Sequence, residues 1–203
     1  MTTTDTALLE ALAQNAAFDG WTHKALRAAL SSLGREPEEV PLVFSGGAGD
    51  MIEAYVGSLD ERMLAAVPSV EGGLTARVRG VIATRLALAR GEKEAIRRAL
   101  AVLALPQNAI RTARITARTV DAIWFAAGDR SADFSWYTKR ATLAAVYGAT
   151  LLYWLTDTSE GDANTLAFLD RRLAGVGAFT KLRQGLKDKL PRPRLFREKT
   201  AEA

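Results

Sequence analysis

Apolar residues recur at three- and four-residue intervals along nearly the whole chain, and no run alternates apolar and polar side chains between hairpin turns. That period belongs to amphipathic helices, so the chain is restricted to an all-α fold with strand content near zero. Helices are expected over residues 5–17, 22–33, 49–67, 74–90, 93–105, 106–127, 134–156 and 162–189. Their ends carry ordinary punctuation. Gly20, Gly34 and Gly128 stop helices, Thr22 and Asp133 can cap them, and Pro106 suits a first turn.

The Glu71-Gly72-Gly73 turn divides the chain. Residues 1–68 resemble a helix-turn-helix domain, residues 74–190 form a second helical domain, and residues 191–203 are a basic tail opened by Pro191 and Pro193. Charge follows the same division. Residues 1–70 hold four basic and ten acidic groups, while residues 71–203 hold 23 basic and 13 acidic ones, which points to two halves with different partners.

Several functions are excluded by what is missing. With no Cys and a single His, the chain offers no disulfide, no thiol nucleophile and no usual metal-ligand set. No nucleophile, base and oxyanion hole are assembled, so catalytic residues, metal and cofactor are all expected to be none. The uncharged stretch 141–156 is shorter than the roughly 20 apolar residues of a spanning helix. The first residues have neither a basic nor an apolar signal region, so a cytoplasmic location is expected.

Short three-helix domains of this kind often read DNA, but the charge opposes it here. Residues 36–61 contain seven acids and not one Lys or Arg, where a recognition helix faces a dense phosphate array. The Ser45-Gly46-Gly47-Ala48-Gly49-Asp50 stretch lacks the strand and Lys-Ser/Thr pair of a phosphate loop. It is expected to be a tight turn where backbone passes close to a neighbouring helix. His23 is expected to make a structural polar contact, and the Glu36/Glu39 and Asp157/Glu160 pairs to be solvated surface.

The second half is richer. Phe134, Trp136, Tyr137 and nearby Trp124 place large aromatics beside charges at a helix start. Adjacent helical residues lie about 100° apart, so Trp136 and Tyr137 do not fit one buried stripe. An aromatic–Arg surface of this composition suits a protein-binding hot spot, and an ordinary capped helix is the plainer alternative. Residues 141–155 are apolar all round, as in a central buried helix. Their mixture of small and large side chains fits either a lipid-sized cavity or close helix packing, including a dimer interface. Arg111, Arg114 and Arg118 form a basic stripe that meets either acids on the 74–105 helices or an anionic partner. Phe179, Leu182, Leu186 and Leu190 recur on one face of a basic terminal helix, which fits an anionic membrane surface or a solvated end.

A set of motifs goes further. Gly20-Trp21-Thr22, the Gly46–Asp50 turn, Ala104-Leu105-Pro106-Gln107-Asn108, Asp121-Ala122-Ile123-Trp124 and Phe168-Leu169-Asp170-Arg171-Arg172 occur in order around a long unusual run. That run is Ala127-Gly128-Asp129-Arg130-Ser131-Ala132-Asp133-Phe134, continued by Trp136-Tyr137-Thr138-Lys139-Arg140. Over about residues 5–180 the chain resembles a bacterial member of the ubiquinone (coenzyme Q) biosynthesis accessory family with a TetR-like fold, the ninth of the Coq families. The resemblance implies a dimeric, all-α, TetR-like protein that is not a DNA-binding repressor. It implies binding of lipids, including isoprenoid quinone intermediates, in the C-terminal domain. It also implies association with the di-iron hydroxylase acting on demethoxyubiquinone, to which the lipid is presented from the membrane. By matching motif, the partner-binding patch maps onto Asp133, Trp136, Tyr137 and Arg140. Eukaryotic relatives add a mitochondrial targeting segment, which is not expected of a bacterial member, and a terminal amphipathic helix, from which the Pro191/Pro193 tail departs.

On this basis the expected lipid-binding residues are Leu143, Val146, Tyr147, Leu151 and Trp154, with Ile110, Val120 and Ile123 as facing walls. The expected partners are an isoprenoid quinone or phospholipid, the di-iron hydroxylase and a second copy of the chain, with no DNA. Peripheral contact with the inner membrane is also expected. The competing functions are a ligand-responsive TetR-type repressor and an isoprenoid-modifying enzyme.

Overall fold

The computed structural model describes residues 6–36, 44–67, 72–129 and 136–189, without the side chains of Trp136 and of residues 177–189. Among them are eight α-helices and no strand. In chain order they are α1 (Thr6–Asp19), α2 (His23–Ser32), α3 (Ala48–Ala66), α4 (Leu74–Leu88), α5 (Lys93–Leu103), α6 (Ala109–Ala126), α7 (Trp136–Trp154) and α8 (Ala163–Lys189). Short 3-10 turns at Arg90–Glu92, Pro106–Asn108 and Glu160–Asp162 lead into α5, α6 and α8.

Local sequence accounts for the ends. The Thr22 hydroxyl accepts the Ala25 N–H at 3.3 Å and so caps α2. Gly128 follows α6 at φ +73°, the left-handed position that a residue with a Cβ enters at a cost. The expected cap Asp133 lies outside the described residues, as do Phe134 and the tail from residue 190.

Helix α1 packs on α2 and α5, and α3 packs on α4 and α6. Helix α7 lies against α6 and α8, and the buried apolar side chains form one continuous cluster from Leu8 to Leu169. Trp21 ties the beginning of the chain to α5: its ring is 5.1 Å from that of Tyr55, and its Nε1–H donates to the Ala95 carbonyl at 2.9 Å.

Several expectations change. Helix α7 is not buried all round. Tyr137, Ala141, Ala145 and Leu152 are exposed, because α4, α6 and α8 cover only its other side. The Arg111, Arg114 and Arg118 stripe pairs with α3 and not with the 74–105 helices. Arg111 Nη1 is 2.7 Å from Asp50 and 3.2 Å from Glu53, which also receives Arg118 at 3.2 Å. Asp157 is buried and hydrogen-bonded, not solvated. His23 is exposed on the first turn of α2.

The glycine turn behaves as a close-approach site. A Cβ on Gly49 would come within 2.8 Å of Arg111 Nε, so this position lets the guanidinium lie across the start of α3 toward Asp50.

Candidate functional site

The buried face of α7 is set by spacing. Leu143, Val146, Tyr147 and Thr150 lie at intervals of three and four and are all buried. Val120 and Ile123 bring the buried face of α6 into the same cluster, and Leu151 packs half-buried at its edge. Seven of the eight residues expected from sequence therefore lie in or against the apolar core. Ile110 does not. It is 79% exposed, since 13 residues of helix turn it about 220° from Ile123. Trp154 is fully buried but at the far end of α7, about 16 Å along the axis from Leu143. There Lys93 Nζ stands 4.7 Å above its ring.

A polar network missed by sequence reasoning enters this core. Arg85 on α4 is 3% exposed. Its Nε donates to Asp60 Oδ1 at 2.9 Å, Nη2 lies 2.8 Å from the same oxygen, and Nη1 donates to the Tyr147 hydroxyl at 2.6 Å. The Thr119 hydroxyl donates to the other Asp60 oxygen at 2.9 Å. Four helices thus meet at one ion pair. Burial works against the guanidinium's charge, but Tyr147 and Asp60 more than compensate, and its pKa is raised. Burial pushes the Tyr147 phenol up despite Arg85, so the hydroxyl keeps its proton. A signal was present: Arg85 falls on the stripe Val78, Val81, Ile82, Leu86, where a charge has no place unless it is partnered.

A second polar junction holds the start of α8. Lys93 Nζ donates to the Asp157 carbonyl at 2.8 Å and to Asp162 at 3.1 Å, and Arg90 donates to Asp162 at 2.8 Å. Asp157 accepts from the Thr165 N–H and hydroxyl at 2.8 and 2.6 Å and from the Ser159 N–H at 2.9 Å. Burial acts to raise both carboxyl pKa values, but these hydrogen bonds and cations win and hold both below the ordinary carboxylate range.

Of the expected docking residues, Trp136, Tyr137 and Arg140 lie at the beginning of α7. Tyr137 is 78% exposed, and Arg140 Nε donates to Asp121 of α6. The Asp133 residue and the Trp136 side chain fall outside the described residues. Phe125 at the end of α6 is also exposed. No group of three His, Cys, Asp or Glu able to hold a metal ion occurs among the described residues. No described helix is long and apolar enough to cross a membrane.

The COQ9 family model matches residues 109–180. Rat "Ubiquinone biosynthesis protein COQ9, mitochondrial" is 33% identical over 164 residues, covering 76% of this chain and 52% of the relative. The human protein of that name is 32% identical, covering 76% and 51%, and the Drosophila melanogaster protein is 33% identical, covering 82% and 53%. The chain spans about half the length of the curated relatives it matches. Among solved structures, a TetR transcriptional regulator from Nitrosomonas europaea matches with a TM-score of 0.66 at 22% identity, covering 83% of this chain and 94% of that one. The all-α fold is therefore TetR-like.

Proposed function

We propose, on the premise that residues 109–180 belong to the COQ9 family and that the chain is a relative of the ubiquinone biosynthesis proteins so named, that this protein acts in ubiquinone biosynthesis as a non-catalytic accessory. In this reading residues 74–190 form a lipid-binding and dimerisation unit that holds an isoprenoid quinone intermediate. The surface at the start of α7 presents it to the di-iron demethoxyubiquinone hydroxylase from the membrane's edge. Residues 1–68 keep a helix-turn-helix-like architecture without the charge to grip DNA.

The observation that carries this is one of position. The matched segment coincides with α6, α7 and much of α8, the elements that carry Val120, Ile123, Leu143 and Val146 and the exposed Tyr137. A TetR-type repressor shares the fold alone. Its rivalry is weakened by the acidic 36–61 segment and by Asp50 and Glu53, which hold Arg111 and Arg118.

The test is mass spectrometry of lipids extracted from the purified full chain, with sedimentation to count protomers. An isoprenoid quinone or its precursor bound to a dimer is expected. Lipid-free protein together with a sharp footprint upstream of its own operon would overturn the reading in favour of repression.

A further inference from the structure

Charge is closely matched in the second half of the chain, with one exception. Among the described residues from 74 to 172, every Lys and Arg but Arg77 is paired with a carboxylate or stands over an aromatic ring. Arg77, near the start of α4, is half-buried. Its Nε is shut off from water and has no hydrogen-bond partner. A charged donor left in this state is costly, so its presence asks for a use. Position supplies one. A Cβ on Gly128 would stand 3.0 Å from Arg77 Nη1, which puts the guanidinium against the end of α6. Trp124, one turn earlier on that helix, also has a buried Nε1–H without an acceptor. Phe125 beside it is exposed. Lys139 Nζ lies 3.9 Å from Asp129, which brings the start of α7, with the exposed Tyr137, to the same place.

We propose that Arg77 is the ion-pair anchor of this surface and takes an Asp or Glu carboxylate of the docked protein. This rests on the hydroxylase-docking reading above and adds the chemistry of the partner's contact. Composition favours a protein over a lipid phosphate. Aromatic side chains beside an arginine are what protein interfaces concentrate. A lipid-phosphate site gathers several cations, and here Lys139 and Arg140 are already held by Asp129 and Asp121. No ion pair or hydrogen bond of the Arg77 side chain to a described residue has to break when an acid arrives. Covering the new pair excludes water and strengthens it.

The experiment titrates the full chain with the hydroxylase of the same organism at low and high salt, beside a thermal melt of each variant. Arg77→Met is expected to bind at least about tenfold more weakly at low salt and to lose part of the salt dependence. It is expected to melt no lower than the wild type, because it removes an unpaired buried donor. Arg77→Lys keeps the charge and is expected to recover most of the affinity. Wild-type affinity and salt dependence in Arg77→Met would overturn the proposal. Equal losses in Arg77→Met and Arg77→Lys would do the same, since charge would then not matter. A melting temperature that falls together with the affinity would reassign Arg77 to holding α4 on α6. Weaker binding of Arg77→Met to phosphatidylcholine–cardiolipin vesicles, with hydroxylase affinity intact, would give the residue to a lipid phosphate instead. No binding of the hydroxylase by the wild type would end the docking reading as well.

Discussion

Arg85 Nε stands 2.9 Å from Asp60 Oδ1, a charged pair closed between α4 and α3 with both residues buried. Removing one member strands the other. Asp60→Ala is expected to destabilise the protein by about 3–5 kcal/mol. Asp60→Leu/Arg85→Met is expected to recover most of that loss, since no uncompensated charge remains. Urea unfolding of both variants with an unchanged m-value checks this. Equal losses in the single and double variants would mean that the cost lies in packing volume and not in charge.

The Asp157 carboxyl predicts an acid limit. Its pKa is depressed in the folded protein relative to an ordinary value of 3.8. Its contribution is therefore fully present above that value and is lost as pH falls through the lower folded value. Asp162 is depressed in the same direction. Thermal melts are expected to be flat with respect to these groups above about pH 5 and to fall steeply below pH 4. Asp157→Asn is expected to melt lower at pH 7 and to show a shallower fall, so the two curves converge in acid. Parallel curves would contradict the assignment.

Gly49 and Arg111 are expected to be coupled. In the wild type, Gly49→Ala pushes a methyl into the guanidinium and loosens the Arg111 pairs with Asp50 and Glu53. In an Arg111→Ala background the same change no longer meets the guanidinium and gains helix propensity, about 1 kcal/mol. A double-mutant cycle by chemical denaturation should therefore show Gly49→Ala as neutral or destabilising in the first background and stabilising in the second. Additivity would show that the close approach has no energetic weight.

Tyr137 separates docking from folding. Because its ring is largely exposed, Tyr137→Ala should change unfolding free energy by no more than about 0.5 kcal/mol. The proposed hydroxylase contact predicts at least about 2 kcal/mol lost in affinity, as for a buried hot-spot aromatic. Full retention of hydroxylase pull-down by this well-folded variant would remove Tyr137 from the docking surface. Arg140→Ala is a less clean probe, since it also breaks the contact with Asp121.

The sequence by itself determined the helices and several of their ends. Those properties depend on residues three or four positions apart, and Thr22 and Gly128 act within a turn or two of their own backbone. The motifs around residues 121–140 also carry the resemblance to the ubiquinone biosynthesis accessory family. Only the tertiary structure decided which helix faces which. It set the Arg111 stripe on α3 and turned Ile110 outward. It left Tyr137, Ala141 and Leu152 uncovered on an apolar helix. It also converted Asp60 and Arg85 from two surface-type charges into the centre of a buried network. These pairs are separated by 25 to 62 residues in the chain. No local pattern carries such contacts, because their energy arises only when packing removes water from both partners at once.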